Sequence, residues 1–266
     1  MPNSVFDRAA EDVGNIVGFG HVNLRVPDQR IATLFYITAL GLARDPRFAP
    51  RPGNIWVNAG DSQFHLPTGP AQVLRGSIGL VLPDLGALRF QLAALAPLLA
   101  GTRFAWHDDG EAIDLICPWG NRLRAHAPQP RFGAMTLGLP YVAFDVLPGS
   151  ADGIARFYRQ TLHGIAAAGE DATGRFARVT AGLSTVLVFR ETERELPDWD
   201  GHHIQITLAD FSAPHRRLLA RGLITEESDQ HQYRFQDIVD PEGGNAVLFT
   251  IEHEVRSMRH PMFGRS

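Results

Sequence analysis

The chain has 266 residues, a hydrophobic share of 44% and a formal charge of -4, enough apolar material for one large core or two ordinary ones. It carries no basic run and no basic amphipathic helix, so neither nucleic acid nor a membrane surface is an expected partner, and a small molecule is. Cys117 is the single cysteine, which excludes an internal disulfide and any multi-cysteine metal site and leaves imidazoles and carboxylates as the available ligands.

The opening residues, MPNSVFDRAAED, lack the basic start and apolar core of a secretory signal, and the longest apolar stretch, 92–100, is broken by Pro97; a cytoplasmic location is therefore expected. After an N-terminal segment, 1–17, the run GFGHVNLRVPD (18–28) alternates like a strand. His21, Asn23 and Arg25 share one face; Val22, Leu24 and Val26 share the other. Ile31, Leu34, Phe35 and Thr38 then recur at helical spacing, with Gly41 suited to a helix end. The extended run IWVNAGDSQFHL (55–66) follows, with Gln63 and His65 on one face and Phe64 and Leu66 on the other.

The same order returns three times. GSIGLVLPDL (76–85) leads into Leu88, Leu92 and Leu95. YVAFDV (141–146) leads into Ile154, Phe157, Tyr158 and Leu162. GHHIQITLADF (201–211) leads into Leu218 and Leu219. Each copy closes on short extended runs with Gly-rich or Pro-rich turns, among them DIVDPEGGNAVLFTI (237–251), so the repeating unit reads β-α-β-β-β. The expected modules are 18–69, 74–127, 138–190 and 200–254, with a Pro- and Gly-containing linker at 128–137 and a tail at 255–266 that is either flexible or an arm over a neighbouring subunit. A helix in every unit argues for curved sheets with helices packed outside rather than a propeller.

These residues resemble the vicinal oxygen chelate superfamily, which includes glyoxalase, bleomycin-resistance and extradiol dioxygenase proteins. The resemblance rests on the His-x-x-Leu-x-Val-x-Asp opening at 21–28, the F-Y-x-x-x-L-G-L pattern at 35–42, and the turns CPWGN (117–121) and DPEGGN (240–245). It implies an α+β fold in which four βαβββ modules form two tandem glyoxalase-like domains, 18–127 and 138–254, each a half-open β-barrel with helices outside. It also implies that metal ligands come from the head of each module's first strand and the middle of its last. Those positions match His21 and His65 in module one, Ser77 and Arg124 in module two, Tyr141 and Leu187 in module three, and His203 and Leu248 in module four.

His203 shares its strand face with Gln205 and Thr207, as His21 does with Asn23 and Arg25, so His21, His65 and His203 become one candidate metal site if module one faces module four. One divalent ion per chain is expected, iron or zinc first, because the other ligand positions hold poor donors. Leu248 lacks the carboxylate that the resemblance implies for a proton-moving isomerase, and Glu252 lies four residues on, about 13 Å along an extended strand. A dioxygenase-type reaction on a small oxygen-bearing substrate is thus the leading expectation, with a non-catalytic sequestering protein or a glyoxalase-like lyase or isomerase as alternatives. Arg25, Gln63, Gln205, His231 and Tyr233 are the candidate substrate-binding residues, and a second copy of the chain is an admissible partner.

Overall fold

The computed structural model describes residues 7–48 and 53–264; the first six residues of the N-terminal segment, residues 49–52 and the last two of the tail lie outside the described residues. Every module has the βαβββ order. Module one comprises β1 (Ile16–Asn23), α1 (Gln29–Ala32, continuing as a π-helical turn over Thr33–Ala39), β2 (Ala43–Arg44), β3 (Asn54–Ala59) and β4 (Ser62–Pro67). Module two comprises β5 (Gly76–Val81), α2 (Leu85–Leu95), β6 (Ala105–Asp108), β7 (Ala112–Ile116) and β8 (Arg122–His126). Module three comprises β9 (Tyr141–Val146), α3 (Ala151–Gln160), β10 (Ala166–Asp171), β11 (Gly174–Ala181) and β12 (Thr185–Glu191). Module four comprises β13 (His203–Leu208), α4 (Ser212–Ala220), β14 (Ile224–Asp229), β15 (Gln232–Val239) and β16 (Val247–Ser257).

The strand-to-helix switch has a local cause. In the first two modules an aspartate after proline or near it ends the strand and caps the helix: Asp28 accepts from the amides of Arg30 and Ile31 at 2.7 and 3.1 Å, and Asp84 from Ala87 at 2.9 Å. Asp210 repeats the device with Ala213 at 3.1 Å. The helical crossover then forces the first and last strands of each module to run parallel, as β1 does with β4 and β13 with β16.

Two eight-stranded sheets result, in the orders β14-β15-β16-β13-β1-β4-β3-β2 and β10-β11-β12-β9-β5-β8-β7-β6. The first joins modules one and four through an antiparallel β1–β13 seam, and the second joins modules two and three through β5–β9. Module one therefore does lie against module four. Each sheet is open, with β14 and β2, or β10 and β6, at its edges.

The helix-facing sides of the strands form the core. On β13, Ile204, Ile206 and Leu208 are fully buried, as are Val22 and Leu24 in module one and Ile154, Phe157 and Tyr158 on α3. Each such side chain contributes about 1.5–3 kcal/mol of burial. No helix among the described residues is long and apolar enough to cross a membrane.

β16 departs from expectation. It runs eleven residues, through Ser257, so the first three residues of the tail expected at 255–266 are paired strand. That extension decides the make-up of the site.

Candidate metal centre

The β1–β13 seam and the β1–β4 pairing bring the three histidines together. Asn23 lies opposite both His203 and His65, while His21, two residues earlier on the same face, lies opposite Gln205 and Gln63. The ligand nitrogens of His21, His65 and His203 all fall within 4.8 Å of one another, and the Nε2 atoms of His21 and His203 are 3.4 Å apart. Two nitrogens bound to one ion at about 2.1 Å are separated by about 3.0–4.2 Å, so small side-chain shifts would suffice to close the triad on a metal.

The environment keeps these rings neutral, which is the form a metal needs. Burial drives His21 well below its ordinary value, with His203 and His65 adding repulsion. His203 is lowered well below it by burial and then by Arg234. His65 is pushed down to about 3 by burial, with Arg256 and Arg234 contributing. The Nε2 of His65 is buried with no hydrogen-bond partner among the described residues, a ring nitrogen without a protein use. Trp56, from β3, stacks on the His65 ring at 3.7 Å between centroids, touches His21 edge-on at 5.0 Å, and is itself covered by Phe48 at 4.9 Å. The aromatic stack fixes the His65 ring plane.

Strand register corrects the fourth ligand position. His65 is the residue of β4 opposite Asn23, two places beyond His21; the corresponding residue of β16, opposite Gln205 and two places beyond His203, is Glu254. Leu248 is not at that position. It belongs instead to the partly buried apolar residues packed on the core, beside Gly153 of α3. Glu252, four residues beyond Leu248, lies opposite His203 with its Oε1 3.4 Å from the ring Nδ1. Glu254 Oε2 is 3.6 Å from His203 Nε2, and its side chain is almost wholly buried. The same register gives Arg124 in module two, as expected, and Val188 rather than Leu187 in module three.

Arg234 of β15 ion-pairs with both Glu252 and Glu254, and Arg256 lies 2.6 Å from the other oxygen of Glu254. Burial nevertheless raises the Glu254 carboxyl above its usual range, outweighing the pull of Arg256 and Arg234 in the opposite direction. A divalent ion beside it would relieve that cost, using a second lone pair of a carboxylate oxygen that already meets an arginine.

Among the expected substrate-binding residues, Gln63 and Gln205 are buried on the site face. Both amide hydrogens of Gln63 are engaged, to Asp45 at 2.5 Å and Asn58 at 2.6 Å, which leaves its carbonyl oxygen as the free acceptor. Arg25 lies at the rim, reaching the Asp200 carbonyl at 3.3 Å. Tyr233 points the other way: it faces α4, 4.9 Å from the Phe211 ring and 5.0 Å from His215. His231 precedes β15, where its ring nitrogen sits 3.5 Å from the Ser257 hydroxyl. Arg234 and Gln236, which alternate with Tyr233 along β15, reach Glu252 and Glu254 on the opposite face. Trp56, Arg234 and Glu254 are residues that sequence reasoning missed and Glu252 one that it set aside; only the period-two pattern of EHEVR (252–256) offered a signal for the carboxylates.

No family model matches the chain, and no curated protein matches it in sequence. Solved structures do match. Glyoxalase I from Zea mays superposes with a TM-score of 0.59 at 14% identity, covering 95% of each chain. A "putative dioxygenase" from Bacillus subtilis subsp. subtilis str. 168 gives 0.56 at 17% identity over 92% of this chain and 86% of that one. The cppA protein from Streptococcus pneumoniae TIGR4 gives 0.52 at 10% identity over 92% of this chain and all of that one. With four βαβββ modules in two eight-stranded sheets and these structural likenesses, the chain has the fold of the vicinal oxygen chelate superfamily.

Proposed function

We propose that the chain is a metal-dependent enzyme acting on a small molecule with adjacent oxygen atoms, and that His21, His65, His203 and Glu254 hold one divalent ion, iron or zinc first among the candidates. The observation that carries this reading is the convergence of three imidazoles within 4.8 Å, those of His21 and His203 buried and that of His65 half-buried with an unused nitrogen. A pocket that merely sequestered a ligand has no need of that set. The ion would supply Lewis acidity toward the chelating oxygens of the substrate.

The protein's own groups divide the remaining work. Trp56 and Phe48 offer an apolar wall beside His65, Gln63 presents an acceptor to a substrate hydroxyl, and Arg234 steadies Glu252 and Glu254. With Leu248 no longer at the ligand position, the reason for preferring oxygenation over proton transfer is gone. A carboxylate beside the site can take a proton at Glu254 Oε2 and return it to a neighbouring carbon, so isomerase or lyase chemistry now stands first. Dioxygenase chemistry is the second reading, favoured by the engagement of both Glu254 oxygens with arginines, which leaves three imidazoles as the uncommitted ligands. The Bacillus subtilis and Zea mays proteins illustrate that this fold accommodates both descriptions.

Metal analysis of the purified protein tests the shared premise: one ion per chain is expected, lost in His203→Ala. Two equally tight ions, or none in a protein purified without chelator, would overturn it. Assays of the metal-loaded protein with hemithioacetals and, separately, oxygen uptake with catechols then distinguish the two reaction classes.

A further inference from the structure

We infer that the second sheet carries a separate, metal-free binding site for a small molecule bearing a carboxylate or phosphate, with the Tyr141 hydroxyl and the Arg178 guanidinium as its anchors. The concave face of that sheet lines a cavity of about 930 Å³, to whose lining residues 10–13 of the N-terminal segment also contribute. This is the size of a typical small-ligand site.

The cavity occupies the place that corresponds to the metal centre, with different chemistry. Tyr141, at the head of β9, stands where module one has His21, and its ring fills the space above β5. Gly79 permits this: a Cβ there would lie 2.5 Å from the Tyr141 ring. The other ligand positions of this sheet hold Ser77, Arg124 and Val188, so the face is built without a ligand set for a metal.

A chain of hydrogen bonds sets the polarity of Tyr141. Arg131 Nη2 lies 3.3 Å from His126 Nδ1, and His126 Nε2 lies 3.0 Å from the Tyr141 hydroxyl. A guanidinium only donates, so Nδ1 is the acceptor. His126 is lowered to about 4 by burial, with Arg131 and Arg124 adding to it, and is therefore neutral, its single proton on Nε2 and directed at the tyrosine oxygen. The tyrosine oxygen is thus the acceptor, and its own hydrogen must be donated elsewhere. It lies on the cavity wall, polarised by the arginine at the far end of the chain.

The charges on that wall are graded. Arg124 is neutralised by Asp109 and Asp114, and Arg190 by Asp171. Arg178, on the same face opposite Val188, has no acidic partner and no side-chain hydrogen bond among the described residues. A donor hydroxyl and an uncommitted guanidinium on one concave wall are complementary to an oxyanion.

Calorimetric titration of the full-length protein with benzoate and with inorganic phosphate tests the site and separates the two sources of oxyanion. At least one probe is expected to bind once per chain, with affinity about tenfold lower in both Tyr141→Phe and Arg178→Ala, as expected for loss of a hydrogen bond or contact to a charged group. Zinc binding at the histidine centre should be unchanged in both variants, which also shows that they fold. Failure of both probes to bind at millimolar concentration, or undiminished affinity in either variant, would overturn the assignment without touching the metal centre.

Discussion

Replacing Glu254 by Gln separates the register-based site from the one read off the sequence. If Glu254 is a ligand, its loss should exceed the about 10–100-fold effect typical of groups that only support a ligand. At a metal concentration 100 times the dissociation constant, the wild-type protein gains about 2.7 kcal/mol of stability from binding; a variant weakened 100-fold gains only about 0.4 kcal/mol at the same concentration. In a chain of this size that is a rise in Tm of about 5–11 °C against one of about 1–2 °C.

The metal-free variant should fold. Burial already costs the Glu254 carboxylate more than Arg234 and Arg256 return, so a neutral side chain of the same shape relieves one unfavourable term while losing another. The companion variant, Leu248→Glu, places its carboxylate beside Gly153 on the helix side and should leave the metal-dependent rise in Tm no larger than in the wild type. Scanning calorimetry with and without buffered Zn(II), and anaerobically with Fe(II), measures the metal-dependent shift in all three proteins. A full metal-dependent shift in Glu254→Gln, or an enlarged one in Leu248→Glu, would refute the register argument and restore the sequence-based position.

The acid limb of stability should begin near pH 6.5. His65 and His253 are depressed to about 3 by burial, so their neutral forms contribute stability that is fully present above the unfolded value of about 6.5 and lost as pH falls toward 3, at about 1.4 kcal/mol per pH unit per group. Urea titrations of the metal-free protein at pH 7 and pH 5 should show this slope, reduced in His65→Gln. Gly79→Ala should cost about 1–3 kcal/mol by driving a methyl into the Tyr141 ring, read as a lower urea midpoint with unchanged zinc affinity. Removing the stacked ring in Trp56→Ala should lower metal affinity by about tenfold, since the His65 plane loses its support; an affinity equal to wild type in calorimetry would show that the stack plays no positioning role.

The sequence by itself determined what depends on local periodicity. Alternation along 18–28 and 201–211 placed His21 and His203 on polar strand faces, the helical spacing of Ile31, Leu34 and Phe35 marked the turn into the first helix, and the fourfold recurrence of this order announced the modules. Two decisions lay elsewhere. The face occupied by 231–235 depends on which neighbour β15 pairs with, and pairing with β16 sends Tyr233 to the helix side and Arg234 to the site. The identity of the fourth donor depends on the register of β16 against β13. The resemblance, which implies a ligand in the middle of each module's last strand, matched that position to Leu248. In the folded chain β16 pairs with β13 only from Glu252 to Ser257, so the residue beside the histidines is six places further on. Hydrogen-bond register between strands distant in sequence is a property of the assembled sheet, and turn spacing along one strand cannot encode it.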